Sequence, residues 1–307
     1  MMRILIVGCG DVGLRVARLL KQRARLAGTT RTPARMPELR AAGVRPMRTD
    51  LDAAHALGRL SGWADAVLHL APPQADGQSD LRTRRLIAHL GRASLARASR
   101  TPGLKRHAHP QGRGRRPHTL VYVSTSGVYG DCRGEVVAET RPPQPRNARA
   151  RRRLDAERRL RRWAARSGRR LVILRAPGIY ARTRLPEARV RQGLPALSPA
   201  EDVYTNHIHA EDLARLAVVA LFRGRPNRVY NAADDSRLKM GEWFDLVADH
   251  LGLPRPPRLP RVQVMAAVTP AMASFLTESR QLSNRRIKTE LRFRLRHPTV
   301  AEGLRSS

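Results

Sequence analysis

The first twenty-two residues constrain the fold more than any other stretch of this 307-residue chain. Residues 3–7, RILIV, form a short apolar run that ends at a glycine, which is typical of a buried parallel strand. The next six residues, GCGDVG, have the pattern G-x-G-x-x-G, and apolar residues at helical spacing follow in residues 14–22. The sequence therefore predicts a strand, a tight glycine turn and a helix, in that order.

Each glycine of this turn has a physical role when a dinucleotide binds there. Gly8 permits the tight turn, Gly10 lets the backbone approach a pyrophosphate, and Gly13 lets the helix pack close to the strand. The N–H groups of the first helical turn, at Asp11 and Val12, then face the phosphates. A glycine turn without a ligand is the alternative, but the strand before it and the helix after it favour a dinucleotide site.

The rest of the chain repeats the alternation of strand and helix. Further strands are predicted within residues 24–31, 44–50, 64–73, 118–130, 169–180 and 227–234. This alternation predicts an α/β fold, a Rossmann-type doubly wound parallel sheet with a smaller C-terminal substrate-binding region. The expected domains are a dinucleotide-binding domain over residues 1–182 and a substrate-binding region over residues 183–307, from which residues 228–234 return as a strand of the sheet.

The charge of the chain raises the question of nucleic-acid binding. The net charge is +34, and of the 59 basic residues only four are lysines, which leaves 55 arginines spread along the chain. Aromatic residues, which stack on bases in single-strand binders, make up only 4 %. We interpret the excess as compositional bias on solvated faces, and expect no specific nucleic-acid partner. No apolar run is long enough for a membrane span or a signal peptide, so the expected location is the cytoplasm.

Two groups of histidines invite a metal-site interpretation. His107, His109 and His118 belong to residues 96–118, an Arg-, Pro- and Gly-rich stretch that is predicted to be a flexible basic loop. The second group lies in HIHAEDLA, residues 207–214. Its acidic residues suit the first turn of a helix, where the helix dipole favours negative charge. We therefore predict no metal site in either stretch.

Three later motifs, together with GCGDVG, carry a family resemblance. They are VYVSTSGVYGD at residues 121–131, ILRAPGIYA at residues 173–181 and HIHAEDLA at residues 207–214. In this order they resemble the extended short-chain dehydrogenase/reductases grouped as NAD-dependent epimerases/dehydratases. The resemblance covers nearly the whole chain.

The resemblance implies positions for a cofactor and a substrate. Asp50 and Leu51 lie near the adenine, Ala71 and Pro72 line the nicotinamide ribose, and Thr125 is the catalytic hydroxyl that bonds the substrate oxygen. The remaining implied contacts are cofactor contacts at Ser124, Pro177 and Gly178 and substrate contacts at Ser126 and Arg184.

The catalytic helix departs from the family pattern. Members carry a Tyr-x-x-x-Lys pair on the helix after VYG, but Arg149 and Arg153 stand in the two positions here, with Glu157 fixing the register. Arginine stays protonated and cannot act as a general base. We expect Tyr180, Tyr129 or a water to move the proton, and Tyr129 is equally well explained as a packing residue.

Two functions remain open on these grounds. The first is an NAD(P)-dependent oxidoreductase or epimerase/dehydratase acting on a small-molecule substrate, with an anionic or nucleotide-sugar-like group that would suit the arginines at positions 182, 184, 189 and 191. The second is a non-catalytic dinucleotide binder that senses redox state or engages a partner. A homodimer is an open possibility for either, and nucleic-acid binding is the remote alternative.

The end of the second strand indicates which dinucleotide is used. NAD-specific sites place an acid about 20 residues beyond the glycine turn, where it bonds the ribose 2′-OH. Here residues 28–36 contain no acid, and Glu38 is the first. Thr30 and Arg31 occupy the strand end instead and suit a 2′-phosphate. The sequence therefore predicts a preference for NADP(H), with NAD(H) as the alternative.

Overall fold

A computed structural model describes residues 1–91 and 118–306 of the chain. Seven strands form one large sheet and eight shorter strands form four two-stranded sheets among these residues. In chain order the strands are β1 Met2–Val7, β2 Ala24–Thr30, β3 Val44–Arg48, β4 Ala66–His69, β5 Thr119–Thr125, β6 Val136–Val137, β7 Arg170–Ala176, β8 Gly178–Tyr180, β9 Ala196–Leu197, β10 Tyr204–Thr205, β11 His207–His209, β12 Arg228–Asn231, β13 Leu238–Lys239, β14 Arg258–Leu259 and β15 Gln281–Leu282.

The large sheet has the strand order β12-β7-β5-β4-β1-β2-β3. β1 pairs in parallel with β2 and with β4, and the pairs β2–β3 and β4–β5 are also parallel. The order reverses at β1, as in doubly wound sheets, where ligands bind outside the carboxyl ends of the strands. The predicted α/β fold with a Rossmann-type parallel sheet is confirmed.

One predicted strand is two in the structure. The pattern over residues 169–180 indicates a single strand, but β7 ends at Ala176 and Pro177 separates it from β8. β8 leaves the large sheet and pairs in parallel with β11. Proline lacks a backbone N–H and cannot continue the ladder at this point.

Eleven α-helices lie in the described residues. They are α1 Asp11–Leu20, α2 Met36–Ala41, α3 Leu81–Leu90, α4 Ala148–Ser167, α5 Glu187–Arg191, α6 Ala210–Arg223, α7 Met240–Leu251, α8 Arg261–Ala267, α9 Pro270–Leu276, α10 Arg285–Glu290 and α11 Val300–Arg305. Within residues 1–91 and 118–306, every helix is too short or too polar to span a bilayer.

Helix α4 shows how an arginine-rich segment still folds against a core. Its apolar residues recur at helical spacing, and five of them are buried: Ala150, Leu154, Leu160, Trp163 and Ala164. Arg152 is also buried, so it does not lie on a solvated face, where the arginine excess is expected.

The described residues divide into two compact units. Unit 1 comprises Met1–Val123, Asp155–Ile173 and Ala220–Arg228, and unit 2 comprises Ser124–Leu154, Leu174–Val219 and Val229–Ser307. β12 belongs to the large sheet, as predicted for residues 228–234. The boundary near residue 182 stays a prediction, and so does the flexible loop, because residues 96–117 lie outside the described part of the chain.

Candidate functional site

The glycine turn of unit 1 has the geometry that a dinucleotide site requires. Gly8 has φ +82°, a left-handed conformation that a side chain would strain. A Cβ added to Gly8 would also lie 2.6 Å from the backbone N and Cα of Ala71. The turn is held by the N–H of Gly8, which donates to Thr29 Oγ1 at 2.8 Å, and by the N–H of Cys9, which donates to the Thr29 carbonyl at 3.0 Å.

The other two glycines differ in what surrounds them. A Cβ on Gly13 would lie 3.2 Å from Ile6 Cγ2 and 3.3 Å from Cys9 Sγ, so this glycine allows α1 to pack against β1. A Cβ on Gly10 would meet no protein atom within 4 Å. Packing therefore explains Gly8 and Gly13 but leaves Gly10 without a reason in the protein itself, as expected where the backbone must approach a ligand.

Helix α1 begins directly at this turn. Gly10 is its N-cap, and no side chain in the described residues accepts a capping hydrogen bond there. Asp11 lies in the first turn, where its Oδ1 accepts from Arg15 Nε at 3.0 Å. The amide groups at the start of a helix favour an anion, so the backbone of Asp11, Val12 and Gly13 can bind phosphate oxygens.

The end of β2 lies beside the glycine turn in the sheet order. Thr30 is buried, and its Oγ1 accepts from the Thr32 N–H at 3.2 Å, so its hydroxyl already orders the loop. Arg31 is exposed. Glu38, the first acid after the strand, forms an ion pair with Arg35 at 3.0 Å. The acid expected of an NAD-specific site is therefore absent from this strand end.

The loops after β3 and β4 are joined by one arginine. Arg82 on α3 donates to both carboxylate oxygens of Asp52, at 2.8 and 2.5 Å, and to the carbonyls of Pro72 and Pro73 at 3.2 Å each. The hydrogen bond from Arg82 holds the pKa of Asp52 below its ordinary value. Arg82 thus links the segment after β3, where Asp50 and Leu51 are predicted to meet adenine, to the segment predicted to line the nicotinamide ribose. No signal in the sequence distinguishes Arg82 from the other arginines.

In unit 2, Thr125 ends β5 and starts a short 3₁₀ turn over Ser126–Tyr129. Its Oγ1 accepts from the Gly127 N–H at 3.2 Å, and the residue is half-buried, whereas Ser124 and Ser126 are buried. A Cβ on Gly127 would lie 3.5 Å from Thr125 Oγ1 and 3.7 Å from Ala150 Cβ. The first turn of α4 therefore lies next to Thr125.

Comparison with known families decides the relationship of the chain. The NAD dependent epimerase/dehydratase family matches residues 4–233, which include the glycine turn, Thr125 and HIHAEDLA. The chain belongs to this family.

Individual relatives agree with the assignment. GDP-6-deoxy-D-mannose reductase from Pseudomonas aeruginosa is 29 % identical over 226 residues, which cover 66 % of this chain and 69 % of that protein. A functionally unknown conserved protein from Silicibacter pomeroyi is 26 % identical, with a TM-score of 0.76 over 100 % of this chain and 98 % of that one. UDP-glucuronic acid 4-epimerase from Bacillus cereus, solved with NAD, shares the fold at 17 % identity, with a TM-score of 0.72 over 99 % and 96 % of the chains.

As a member of the epimerase/dehydratase family, the chain is unusual in α4. Arg149 and Arg153 lie on this helix, in the first turns after Asn147, whose Oδ1 accepts from the Ala150 N–H at 2.9 Å. The guanidinium of Arg149 lies 4.7 Å from the centre of the Phe275 ring. Glu157, used to fix the register, is buried. The helix is formed, and Arg149 and Arg153 stand where the resemblance places the Tyr-x-x-x-Lys pair.

The two tyrosines considered as substitutes are core residues. Tyr129 is buried, its hydroxyl donates to Asn231 Oδ1 at 2.8 Å, and Arg175 lies over its ring. Tyr180 is also buried, its hydroxyl donates to the Thr299 carbonyl at 3.2 Å, and burial raises its pKa well above the ordinary value. A buried, hydrogen-bonded tyrosine of raised pKa does not favour proton exchange, and the catalytic role of Tyr180 stays a prediction.

The arginines after β8 separate into two kinds. Arg189 is buried, donates to the Pro195 carbonyl at 2.6 Å and lies over Phe244, so it belongs to the core and not to a substrate site. Arg191 forms an exposed ion pair with Glu187. Arg182 and Arg184 are exposed and stay candidates for an anionic substrate. Pro177 and Gly178, the predicted cofactor contacts, lie before β8 and at its start.

A second group of cations lines a cavity of about 360 Å³ in unit 2. Its walls include Arg237, Arg285 and Lys288, together with Asp234 and Asn284. Lys288 pairs with Asp235 at 2.5 Å, whereas the described structure gives no hydrogen bond or ion pair to the side chains of Arg237 and Arg285. Burial raises the pKa of Asp234 to about 8, so this carboxyl is largely protonated at neutral pH. The cavity therefore favours an anionic group.

HIHAEDLA forms β11 and the start of α6, as the helix-entry interpretation predicts. Glu211 and Asp212 lie in the first turn of α6. His207 is fully buried, and burial lowers its pKa to about 3, so it is neutral near pH 7. Asp212 is buried and pairs with Arg215 at 2.6 Å.

Proposed function

We propose that this family member is an NAD(P)-dependent oxidoreductase or epimerase/dehydratase that acts on an anionic, nucleotide-sugar-like small molecule. The observation that carries the proposal is Gly10. It opens the helix N-terminus of unit 1 to a ligand while every neighbouring glycine is explained by packing. The family itself and its relatives with nucleotide-sugar names support a nicotinamide dinucleotide and a substrate of this class.

Unit 1 supplies the residues that bind the dinucleotide, and unit 2 supplies those that bind the substrate. In unit 1 the amides at the start of α1 hold the pyrophosphate, and the segments at Asp50–Leu51 and Ala71–Pro72 hold adenine and ribose. In unit 2 the hydroxyl of Thr125 donates to the reacting oxygen of the substrate, and the exposed Arg182 and Arg184 bind its negative charge. A bound dinucleotide accepts or supplies the hydride. Because Tyr180 and Tyr129 are buried and hydrogen-bonded, a water molecule carries the proton.

NADP(H) is the dinucleotide that the proposal favours. A guanidinium can bind a 2′-phosphate through two parallel hydrogen bonds, and Arg31 is exposed at the end of β2. In an NAD-specific site an acid stands at this strand end and repels the 2′-phosphate. One charge-assisted contact is worth roughly 1.5–3 kcal/mol, or about 10- to 150-fold in affinity. Calorimetric titration with both dinucleotides at moderate salt tests this. Tighter or equal binding of NAD(H), or unchanged discrimination in Arg31→Ala, contradicts it.

The substrate class is tested by binding. Nucleotide-sugars and their neutral parent sugars are titrated into the protein saturated with dinucleotide, and we expect heat only from the anionic set. Replacing Arg182 and Arg184 with alanine should weaken that binding, while the exposed Arg162→Ala on α4 serves as a control. Equal binding of neutral sugars, or no binding by any nucleotide-sugar, would contradict the assignment.

A non-catalytic dinucleotide sensor is the second candidate, and one observation favours it. Arg149 and Arg153 replace the Tyr-x-x-x-Lys pair on a helix that is otherwise intact. Such a protein binds the same dinucleotide but transfers no hydride to any substrate.

A further inference from the structure

Three side chains that are separated in the sequence converge in unit 2. His209 ends β11, Glu211 lies in the first turn of α6, and His297 precedes α11. One potential ligand atom from each lies within 4.8 Å of the other two. The two imidazole rings are 3.9 Å apart between centroids, and His297 Nε2 is 3.9 Å from Glu211 Oε2. We propose that His209, Glu211 and His297 form a binding site for one divalent transition-metal ion, with Zn²⁺ as the probe.

The ligand set suits this class of ion. Two imidazole nitrogens and one carboxylate oxygen are a common three-ligand set for Zn²⁺, which leaves a position for water or an anionic group. Zinc with bond lengths of about 2.0–2.2 Å holds its ligand atoms roughly 3.3 Å apart. The observed separation of 3.9 Å between His297 Nε2 and Glu211 Oε2 is close to this. All three ligand atoms lie within 4.8 Å of one another, so they must approach by at most about 1.5 Å to complete the geometry.

The protein holds two of the ligands in place. Asp212, which is fully buried, accepts the backbone N–H of Arg296 and that of His297, the latter at 2.8 Å, and this fixes the chain that carries His297. His209 is positioned by the parallel pairing of β11 with β8. His209 and His297 are both buried, so few alternative rotamers compete with the bound arrangement. Outer contacts of this kind support metal ligands in known sites.

A buried nitrogen of His297 without a hydrogen-bond partner also supports an ion at this cluster. His297 Nδ1 is buried and has no hydrogen-bond partner in residues 1–91 and 118–306. Buried polar atoms usually have a partner, and one without a partner needs an explanation. An ion bound through Nδ1 would supply this missing interaction, and one bound through Nε2 would fix Nδ1 as the protonated nitrogen of the ring.

Two contacts compete with the ion. Arg296, whose side chain is 58 % exposed, forms an ion pair with Glu211. Surface pairs of this kind contribute little, so the ion can displace it. The Glu211 N–H also donates to His209 Nδ1 at 3.3 Å, which is beyond the usual range of about 2.7–3.2 Å. If His209 binds the ion through Nε2, its proton lies on Nδ1, which can then no longer accept the Glu211 N–H. Because Arg296 competes with the ion for Glu211, replacing Arg296 with alanine should strengthen metal binding.

The experiment uses the full chain, untagged and freed of metal with a chelator. Zn²⁺ binding is measured by equilibrium dialysis, and the absorption spectrum of bound Co²⁺ reports the coordination. We expect one ion per chain, and binding weaker by on the order of tenfold or more in His297→Ala and in Glu211→Gln. His250→Ala, an exposed histidine on α7, is the matched control and should bind as wild type does.

Further variants keep the outcome decisive. Arg296→Ala should bind Zn²⁺ several-fold more tightly, and Arg294→Ala, also exposed, should not. A double variant of His107 and His109, which lie outside the described residues, should keep the site. If His297→Ala fails to fold by circular dichroism, the partly exposed Glu211→Gln decides alone. Absence of binding in the wild type, or unchanged binding in both Glu211→Gln and His297→Ala, overturns the proposal.

Discussion

Gly10→Val separates ligand binding from folding at the glycine turn. The backbone of Gly10 is extended, with φ −87° and ψ −155°, and an added Cβ meets no protein atom within 4 Å. A side chain is therefore tolerated by the fold, and its smaller conformational entropy in the unfolded state offsets part of any strain. We expect the free energy of unfolding to change by less than about 1 kcal/mol. The side chain would occupy the space of the pyrophosphate, so dinucleotide affinity should fall by about 100-fold or more, roughly 3 kcal/mol.

Gly8→Ala is the matched comparison, because it fails for a different reason. Its Cβ would lie 2.6 Å from the backbone of Ala71, at a φ of +82°. Backbone strain and overpacking cost about 1–3 kcal/mol each, so the free energy of unfolding should fall by roughly 2–6 kcal/mol. Urea denaturation followed by circular dichroism measures stability, and fluorescence titration with the reduced dinucleotide measures binding. If Gly10→Val is destabilised as much as Gly8→Ala, or binds with wild-type affinity, the assignment of Gly10 is wrong.

Three further predictions address other parts of the molecule. Replacing both Arg149 and Arg153 with alanine should lower substrate or cofactor affinity without removing an ionisation from the pH–rate profile, and loss of one near neutral pH would contradict this. Arg82→Ala should weaken dinucleotide binding by about 10-fold because it frees both cofactor segments, and calorimetry should show the same loss in Asp52→Asn; wild-type affinity in both would exclude the link. Asp234 has its pKa raised to about 8 in the folded protein and is ionised above about pH 4 when unfolded, so the folded state binds the extra proton and stability should fall by about 1.4 kcal/mol per pH unit between these values. Asp234→Asn should flatten that dependence in urea titrations at several pH values, and an unchanged slope would show that another group is responsible.

Much of the fold follows from periodicity in the sequence. The apolar runs that became β1, β2, β4 and β5 are short and bounded by turn residues, so a buried parallel sheet is the arrangement they favour. The roles of Gly8 and Gly13 could also be predicted, because the motif fixes which backbone positions need φ above zero or close packing. The division of residues 169–180 into β7 and β8 was missed, since Pro177 was considered as a cofactor contact and not as the end of a ladder.

The parts that sequence reasoning missed depend on long-range contacts. Arg82, Arg152 and Arg189 look alike among 55 arginines, yet one joins two loops and two are buried. Tyr180 is buried in a cluster with residues far along the chain, and its hydroxyl donates to the carbonyl of Thr299, more than a hundred residues later. His297 joins His209 only through the fold, so no local spacing could reveal the cluster. Hydrogen-bond partners at such separations are set by tertiary packing, which local pattern does not encode.

Hydride transfer from an isotopically labelled dinucleotide tests the central claim most directly. The protein is incubated with NADPH carrying deuterium at C4 of the nicotinamide and with a panel of keto nucleotide-sugars, and the products are analysed by mass spectrometry. An oxidoreductase or epimerase of this family should place deuterium on one sugar carbon of one panel member, and Gly10→Val should abolish the transfer. Tight dinucleotide binding without transfer to any member of a broad panel would contradict catalysis and favour the non-catalytic sensor.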